Sequence, residues 1–226
     1  MIEAILPPGF ASAESTGDSP GTALWPAEEP FVARASAARR REFTTVRLCA
    51  RAAIRELGIV PQAIPRGERG EPRWPPGVVG SMTHCTGYRA AAVARSGTAL
   101  AVGIDAEPHA PLPPDVLGMI ALPDELPMLS GLATSDPGRH WDRVLFSTKE
   151  SVYKAWFPLT RCWLDFGSVA VTFDAPRSAF TARILLDGSA AGGGPAVIPG
   201  RFIVRDGLVI TAAVLETADG AGLFAC

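Results

Sequence analysis

Two acids stand two residues apart where an apolar run ends, Asp105 and Glu107 in "VGIDAEPH". Strand side chains alternate between faces, so residues i and i+2 project together. Adjacent carboxylates repel, and one pKa rises unless a cation lies between them. Oxygen-only donors favour a hard ion such as Mg²⁺ over zinc. A solvated strand end carries the same pattern, so the pair alone leaves both readings open.

A second group lies in "FSTKESVYKAW", residues 146–156. Lys149 and Lys154 are the two lysines of a chain whose 21 Lys and Arg are otherwise arginine. Glu150 and Lys154 are four apart and share a helix face; as a plain surface pair they contribute about 0.2–0.5 kcal/mol. Arginine serves such a pair equally well. The choice of lysine suggests phosphate contact, because a compact ammonium reaches one oxygen without the planar fork of a guanidinium. A third segment, "GSMTHCTG", sets Ser81, Thr83 and His84 just before a turn. No G-x-S-x-G elbow surrounds Ser81, and neither a P-loop nor G-x-G-x-x-G occurs. A lone histidine such as His84 is more often a hydrogen-bonded loop residue than a ligand.

These groups need elements to place them. Residues 1–30, rich in Pro, Gly, Ala and acid, read as an irregular surface arm. "SAARRREFTTVRLCARAAIRELG" has Phe43, Val46, Ala50, Ile54 and Leu57 at helical spacing, with Gly58 ending it. Arg39, Arg40, Arg47 and Arg51 ride on this helix, as a solvated basic face or as an anion-binding one. Three strands are expected in "VVGSMTHC", "YRAAAVA" and "ALAVGIDAE", with "RSGT" as a hairpin turn between the second and third. Residues 108–138 read as irregular, with a short helix near Leu117. A second long helix is expected from Arg139 to Phe157, with Trp141, Leu145, Thr148, Val152 and Ala155 inside and Pro158 stopping it. Strands return in "GSVAVTF", "AFTARILL" and "RFIVRDGLVITAAVL", where Asp206-Gly207 marks a tight turn. Helix then strands, twice over, points to an α+β fold of two similar halves, 1–103 and 104–226.

Bulk properties narrow the classes. Length suits one large domain or two small halves with a substantial core. A net charge of -2 argues against a nucleic-acid binder. Cys49, Cys85, Cys162 and Cys226 are widely spaced, which reads as free thiols without a zinc site. No apolar run approaches the ~18 residues of a membrane span, and the first twenty residues lack a signal-peptide pattern. The expectation is a cytoplasmic protein that is a monomer and binds neither membrane nor nucleic acid.

"GSMTHC", "VGIDAEPH" and "FSTKESVYKAW" in that order, with "RRREFTTVRLCAR", "GEPRWPPGVVGSMTHC" and "WFPLTRCWLDF" in support, resemble the Sfp-type phosphopantetheinyl transferases, in the branch of the enterobactin-synthetase component D proteins. The likeness covers roughly residues 36–215 and looks close to the broad-range actinobacterial enzymes that activate lipid and polyketide synthases. It implies transfer of a phosphopantetheine arm from coenzyme A to a serine of an acyl or peptidyl carrier protein. It further implies release of 3′,5′-ADP, a Mg²⁺ requirement, and an active site between two pseudo-symmetric halves. By this resemblance Asp105, Glu107 and Glu150 are the metal ligands. Glu150, itself or through a metal-bound water, is the base for the carrier serine. Lys154 contacts the coenzyme A phosphates, with Lys149 beside it. Thr83 and His84 bind the phosphate region, and Arg39, Arg47 and Arg66 approach the nucleotide. Where some members read G-K-P this chain reads "GEP", with Glu71, so the basic role there falls to Arg66 or Arg69. The rival readings are another Mg²⁺-dependent phosphotransferase or nucleotide hydrolase, and a non-catalytic subunit that binds carrier proteins.

Overall fold

The computed structural model describes residues 1–19, 24–186 and 192–217. After a short 3₁₀ turn, Ile2–Ile5, the elements are β1 (Phe10–Ser15), α1 (Ala37–Glu56), β2 (Val78–Cys85), β3 (Tyr88–Arg95) and β4 (Ala99–Pro108). There follow α2 (Pro114–Ile120), α3 (Glu125–Ser135), α4 (Trp141–Thr160), β5 (Val169–Asp174), β6 (Ala179–Ile184), β7 (Val197–Arg205) and β8 (Leu208–Glu216). One antiparallel sheet has the order β1-β3-β2, the other β4-β8-β7-β6-β5. The architecture is α+β, and each sheet carries one twenty-residue helix.

Local chemistry explains the main elements. The Ser36 hydroxyl accepts from the Arg39 amide at 3.2 Å and caps α1. Gly58, at φ +71°, follows its end. β3 is buried on both faces. Ala91 and Val93 pack with Ala50, Ala53 and Ile54 of α1. Tyr88, Ala90 and Ala92, on the opposite face, share a cluster with Val102 and Ile104 of β4 and Ile210 and Ala212 of β8. On the far side of the larger sheet, Trp141, Leu145, Val152 and Trp156 of α4 form a third cluster with Phe180 and Phe202. The Asp206-Gly207 turn is as expected: both residues have positive φ, and it joins β7 to β8.

The two sheets meet where edge strand β2 lies beside edge strand β4 without a ladder between them. Ser81 Oγ accepts from the Ile104 amide and Thr83 Oγ1 from the Ala106 amide, both at 3.0 Å. Hydroxyls thus satisfy edge N–H groups that a strand would otherwise take.

Several expectations need correction. The "RSGT" turn does not make a hairpin: β3 pairs with β1 and β2, and β4 pairs with β8. The tight turn lies one strand earlier, between β2 and β3, where Gly87 has φ +77°. The amino-terminal arm is not irregular throughout, because β1 supplies the third strand of the small sheet. Strand β4 runs through residue 103 and pairs with β8 from Ala99 onward. Pro158 does not end α4. The Arg161 amide bonds the Phe157 carbonyl at 2.9 Å, and the helix stops only where Arg161 turns left-handed at φ 57°. Helix α3 was not anticipated. Cys49, Cys85 and Cys162 are free thiols, and Cys226 lies outside the described residues. Among the described residues no helix is long and apolar enough to cross a membrane.

Candidate active site

Gly103 sets how α4 lies on β4. A Cβ there would stand 1.9 Å from the Ser151 carbonyl oxygen and 2.5 Å from the Ala155 nitrogen, both backbone atoms. Only glycine allows this approach. Two residues on, and so on the same face, Asp105 comes under the same helix. Lys154 Nζ donates to Asp105 Oδ1 at 2.6 Å and to the Ile104 carbonyl at 3.2 Å. Thr83 Oγ1 donates to the same Oδ1 at 3.3 Å. Asp105 is 5% exposed, and its Oδ2 is buried without a protein partner.

Glu107 projects to the same side, where Arg143 Nη1 of α4 donates to its Oε2 at 3.0 Å. Burial raises its pKa, Asp105 adds to that, and Arg143 and Lys154 oppose it. Burial likewise raises the Glu150 carboxyl, with Lys154 opposing and Asp105 reinforcing. The ammonium of Lys154 thus pairs with Asp105 rather than with its helical neighbour Glu150. Among the described residues no three His, Cys, Asp or Glu side chains stand close enough together to hold a metal ion as they are. The donors nevertheless fit a hard cation: all are carboxylate oxygens, and Asp105 Oδ2 is an orphaned buried acceptor.

A cavity of about 130 Å³ opens beside β2, lined by Arg39, Arg47, Arg66 and His84. Arg39 Nη1 contacts His84 Nε2 and reaches Glu42 at 3.2 Å. Burial and the Arg39 charge push the His84 pKa down to about 4, so its ring is neutral at pH 7. Arg47 is buried over the Phe43 ring, and burial lowers its pKa to about 9. Arg66 Nε donates to the Gly70 carbonyl at 3.3 Å. The arginines of α1 are therefore not one solvated face. Arg47 and Arg51 are buried, and Arg40 pairs with Glu29.

Gly70, Pro72 and Met82 border both this cavity and a second one of about 220 Å³, which reaches Glu150, Tyr153 and Lys154. The second runs on past Glu71 and Phe157 into a cleft of about 740 Å³ between the loop 68–74 and the end of α4. Glu71 accepts from Arg161 Nη1 at 2.6 Å and ties that loop to the helix end.

Lys149 is the clear correction. It is 1% exposed and donates to the Ile120 carbonyl, Glu125 Oε2 and the Phe166 carbonyl at 2.8, 2.8 and 2.9 Å. All three ammonium donors are taken inside the carboxyl-terminal half, so Lys149 does not reach the cavities. One residue is ~100° around a helix, which separates it from Glu150. Arg143, Gly103 and Glu42 were missed. The first had a signal: Arg143, Ser147, Glu150 and Lys154 follow at steps of 4, 3 and 4 along one helix face.

Residues 27–94 match the family model described as the 4′-phosphopantetheinyl transferase N-terminal domain. Residues 101–191 match the 4′-phosphopantetheinyl transferase superfamily. The chain is 48% identical over 234 residues to 4′-phosphopantetheinyl transferase Svp of Streptomyces mobaraensis, covering 98% of this chain and 95% of the relative. It is 47% identical over 224 residues to 4′-phosphopantetheinyl transferase PptT of Mycobacterium tuberculosis, covering 95% and 98%. To 4′-phosphopantetheinyl transferase Npt of Nocardia iowensis it is 46% identical over 221 residues, covering 94% and 98%.

Proposed function

The chain belongs to the 4′-phosphopantetheinyl transferase superfamily, and from that premise we propose that it moves the 4′-phosphopantetheine arm of coenzyme A onto a serine hydroxyl of an apo acyl or peptidyl carrier protein, releasing 3′,5′-ADP. The observation that carries this reading is the Asp105–Lys154 contact at the meeting of the two sheets, with Asp105 Oδ2 unpartnered and an arginine-lined cavity that shares Gly70, Pro72 and Met82 with the one bordering Lys154.

Each group has work to do in such a transfer. The carrier serine oxygen attacks the phosphorus that bears the arm. The pyrophosphate bridge breaks, and its electron pair leaves on 3′,5′-ADP. Glu150 takes the serine proton as general base, itself or through a water it orients. Lys154 brings a cation to the oxygens on which charge develops. Arg39, Arg47 and Arg66 compensate the phosphates of the nucleotide, and His84, neutral, hydrogen-bonds rather than adding charge. Thr83 holds Asp105 in place. Asp105, Glu107 and Glu150 would hold Mg²⁺, which supplies charge compensation at the pyrophosphate. On this reading coenzyme A, Mg²⁺ and the carrier protein suffice, and the enzyme acts as a monomer in the cytoplasm.

The test is the source of 3′,5′-ADP. With coenzyme A and Mg²⁺ the nucleotide should accumulate only when apo carrier protein is present, one molecule per carrier modified. Release without a carrier would point to a nucleotide hydrolase instead.

A further inference from the structure

Glu28 precedes the 3₁₀ turn Glu29–Val32 and is fully buried against α1. Its Oε1 accepts from Arg51 Nη1 and from the Ile64 amide, both at 2.8 Å. Its Oε2 accepts from the same Arg51 nitrogen at 3.0 Å and from the Trp25 amide at 3.1 Å. Arg47 Nε lies 3.8 Å from Oε1 and donates to the Ile64 carbonyl at 3.0 Å. Both polar groups of the Ile64 backbone are thus fixed, the amide by Glu28 and the carbonyl by Arg47. Two residues further along is Arg66, which lines the same cavity as Arg47.

The charges also count. Two buried guanidiniums, Arg47 and Arg51, face one buried carboxylate, Glu28. One positive charge is left over, beside a cavity that Arg39, Arg66 and one carboxylate, Glu42, also line. An uncompensated buried cation is costly, and an anion in the cavity relieves it. Without Glu28 the two guanidiniums would repel each other and the Ile64 segment would lose its anchor.

We propose that Glu28 is a positioning residue for this cavity: it holds Arg47 and the Ile64–Arg66 segment in the geometry that receives a phosphate of coenzyme A. This rests on the reading that coenzyme A occupies the cavity. Nothing about an acid in "WPAEEP" suggests such a role locally. The position demands a carboxylate rather than an amide. Each Glu28 oxygen faces two donors, so an amide nitrogen in either place would point N–H groups at N–H groups.

The experiment uses Glu28→Gln, Arg47→Ala and the double variant of the full chain. Transfer to an apo carrier protein is followed with coenzyme A varied, and binding of 3′,5′-ADP is followed by calorimetry. In Glu28→Gln the KM for coenzyme A should rise about tenfold or more, as expected when buried donors lose their acceptor. The affinity for 3′,5′-ADP should fall to the same degree, with kcat within about twofold, the pattern of lost binding rather than lost transition-state stabilisation. Because Glu28 acts in part through Arg47, adding Glu28→Gln to Arg47→Ala should cost less than Glu28→Gln costs alone. A role in stability alone would lower the folded fraction and the apparent kcat while KM stayed fixed, and that result overturns the proposal, as does a fully additive double variant. If Arg47→Ala leaves both KM and 3′,5′-ADP affinity unchanged, the cavity reading fails and this proposal with it. If Arg47→Ala weakens both while Glu28→Gln does not, the proposal alone fails. Should Glu28→Gln not fold, Glu28→Asp keeps the charge and pulls it back by one methylene; an unchanged KM there overturns the proposal.

Discussion

Lys154 Nζ lies 2.6 Å from Asp105 Oδ1, a contact between residues 49 positions apart that joins α4 to the edge of the larger sheet. It fixes the one cation of α4 that borders the cavity reaching Glu150. Arginine in place of Lys154 would present a broader planar group to a point contact. A displacement of about 1 Å can cost on the order of a hundredfold in rate. Lys154→Arg should therefore lower kcat strongly, while stability changes by less than about 1 kcal/mol for a partly exposed pair. Turnover and chemical denaturation of the same purified variant check this.

Lys149 should behave in the opposite way. Its ammonium is saturated by Glu125 and two carbonyls in a fully buried setting. Removing a partner from a buried ion pair costs roughly 3–5 kcal/mol. Lys149→Ala should lose stability of that order, whereas the fraction that remains folded keeps its KM for coenzyme A. Denaturant unfolding and active-site titration separate the two quantities.

Gly103→Ala tests the helix seat. The added methyl would meet backbone atoms of α4, which cannot rotate aside as a side chain can. The helix must shift, and overpacking of this kind typically costs about 1–3 kcal/mol. Because Asp105 and Lys154 meet across that seat, kcat should fall more than the loss of folded protein explains.

His84 gives a pH signature. Its pKa is about 4 in the fold and about 6.5 in an unfolded chain. Between those values the unfolded chain takes up a proton that the folded one does not, so the fold loses stability as pH drops from about 6.5 towards 4. Replacing His84 with alanine should make acid destabilisation shallower in that window. It should also raise the KM for coenzyme A. Stability curves at several pH values, with kinetics at pH 7, test both.

Much of this was legible locally. The three strands around "VVGSMTHC", both long helices, the buried stripe of α4 and the Asp206-Gly207 turn follow from periodicity and turn chemistry. Partners across the chain were not. "RSGT" has the residues of a hairpin turn, yet β4 is apolar on both faces and pairs with β8 instead. The helical period put Lys149 and Lys154 on different faces, but nothing nearby said that α3 would cover one of them. α3 carries Pro127 and Gly131, which blur its own pattern. Pro158 looked like a stop because proline removes a helical bond; the helix instead runs two residues further, to Thr160. Gly103 reads as a small residue in a strand, and only the helix lying on it makes it obligatory.

Transfer of the arm is read from the intact mass of the acceptor. An apo carrier protein incubated with this enzyme, coenzyme A and Mg²⁺ should gain the mass of one phosphopantetheine arm. A carrier whose acceptor serine is alanine should gain nothing, and Lys154→Arg should slow the gain on the normal carrier. An unchanged carrier mass with folded enzyme, or equal addition to the serine-free carrier, would contradict the account.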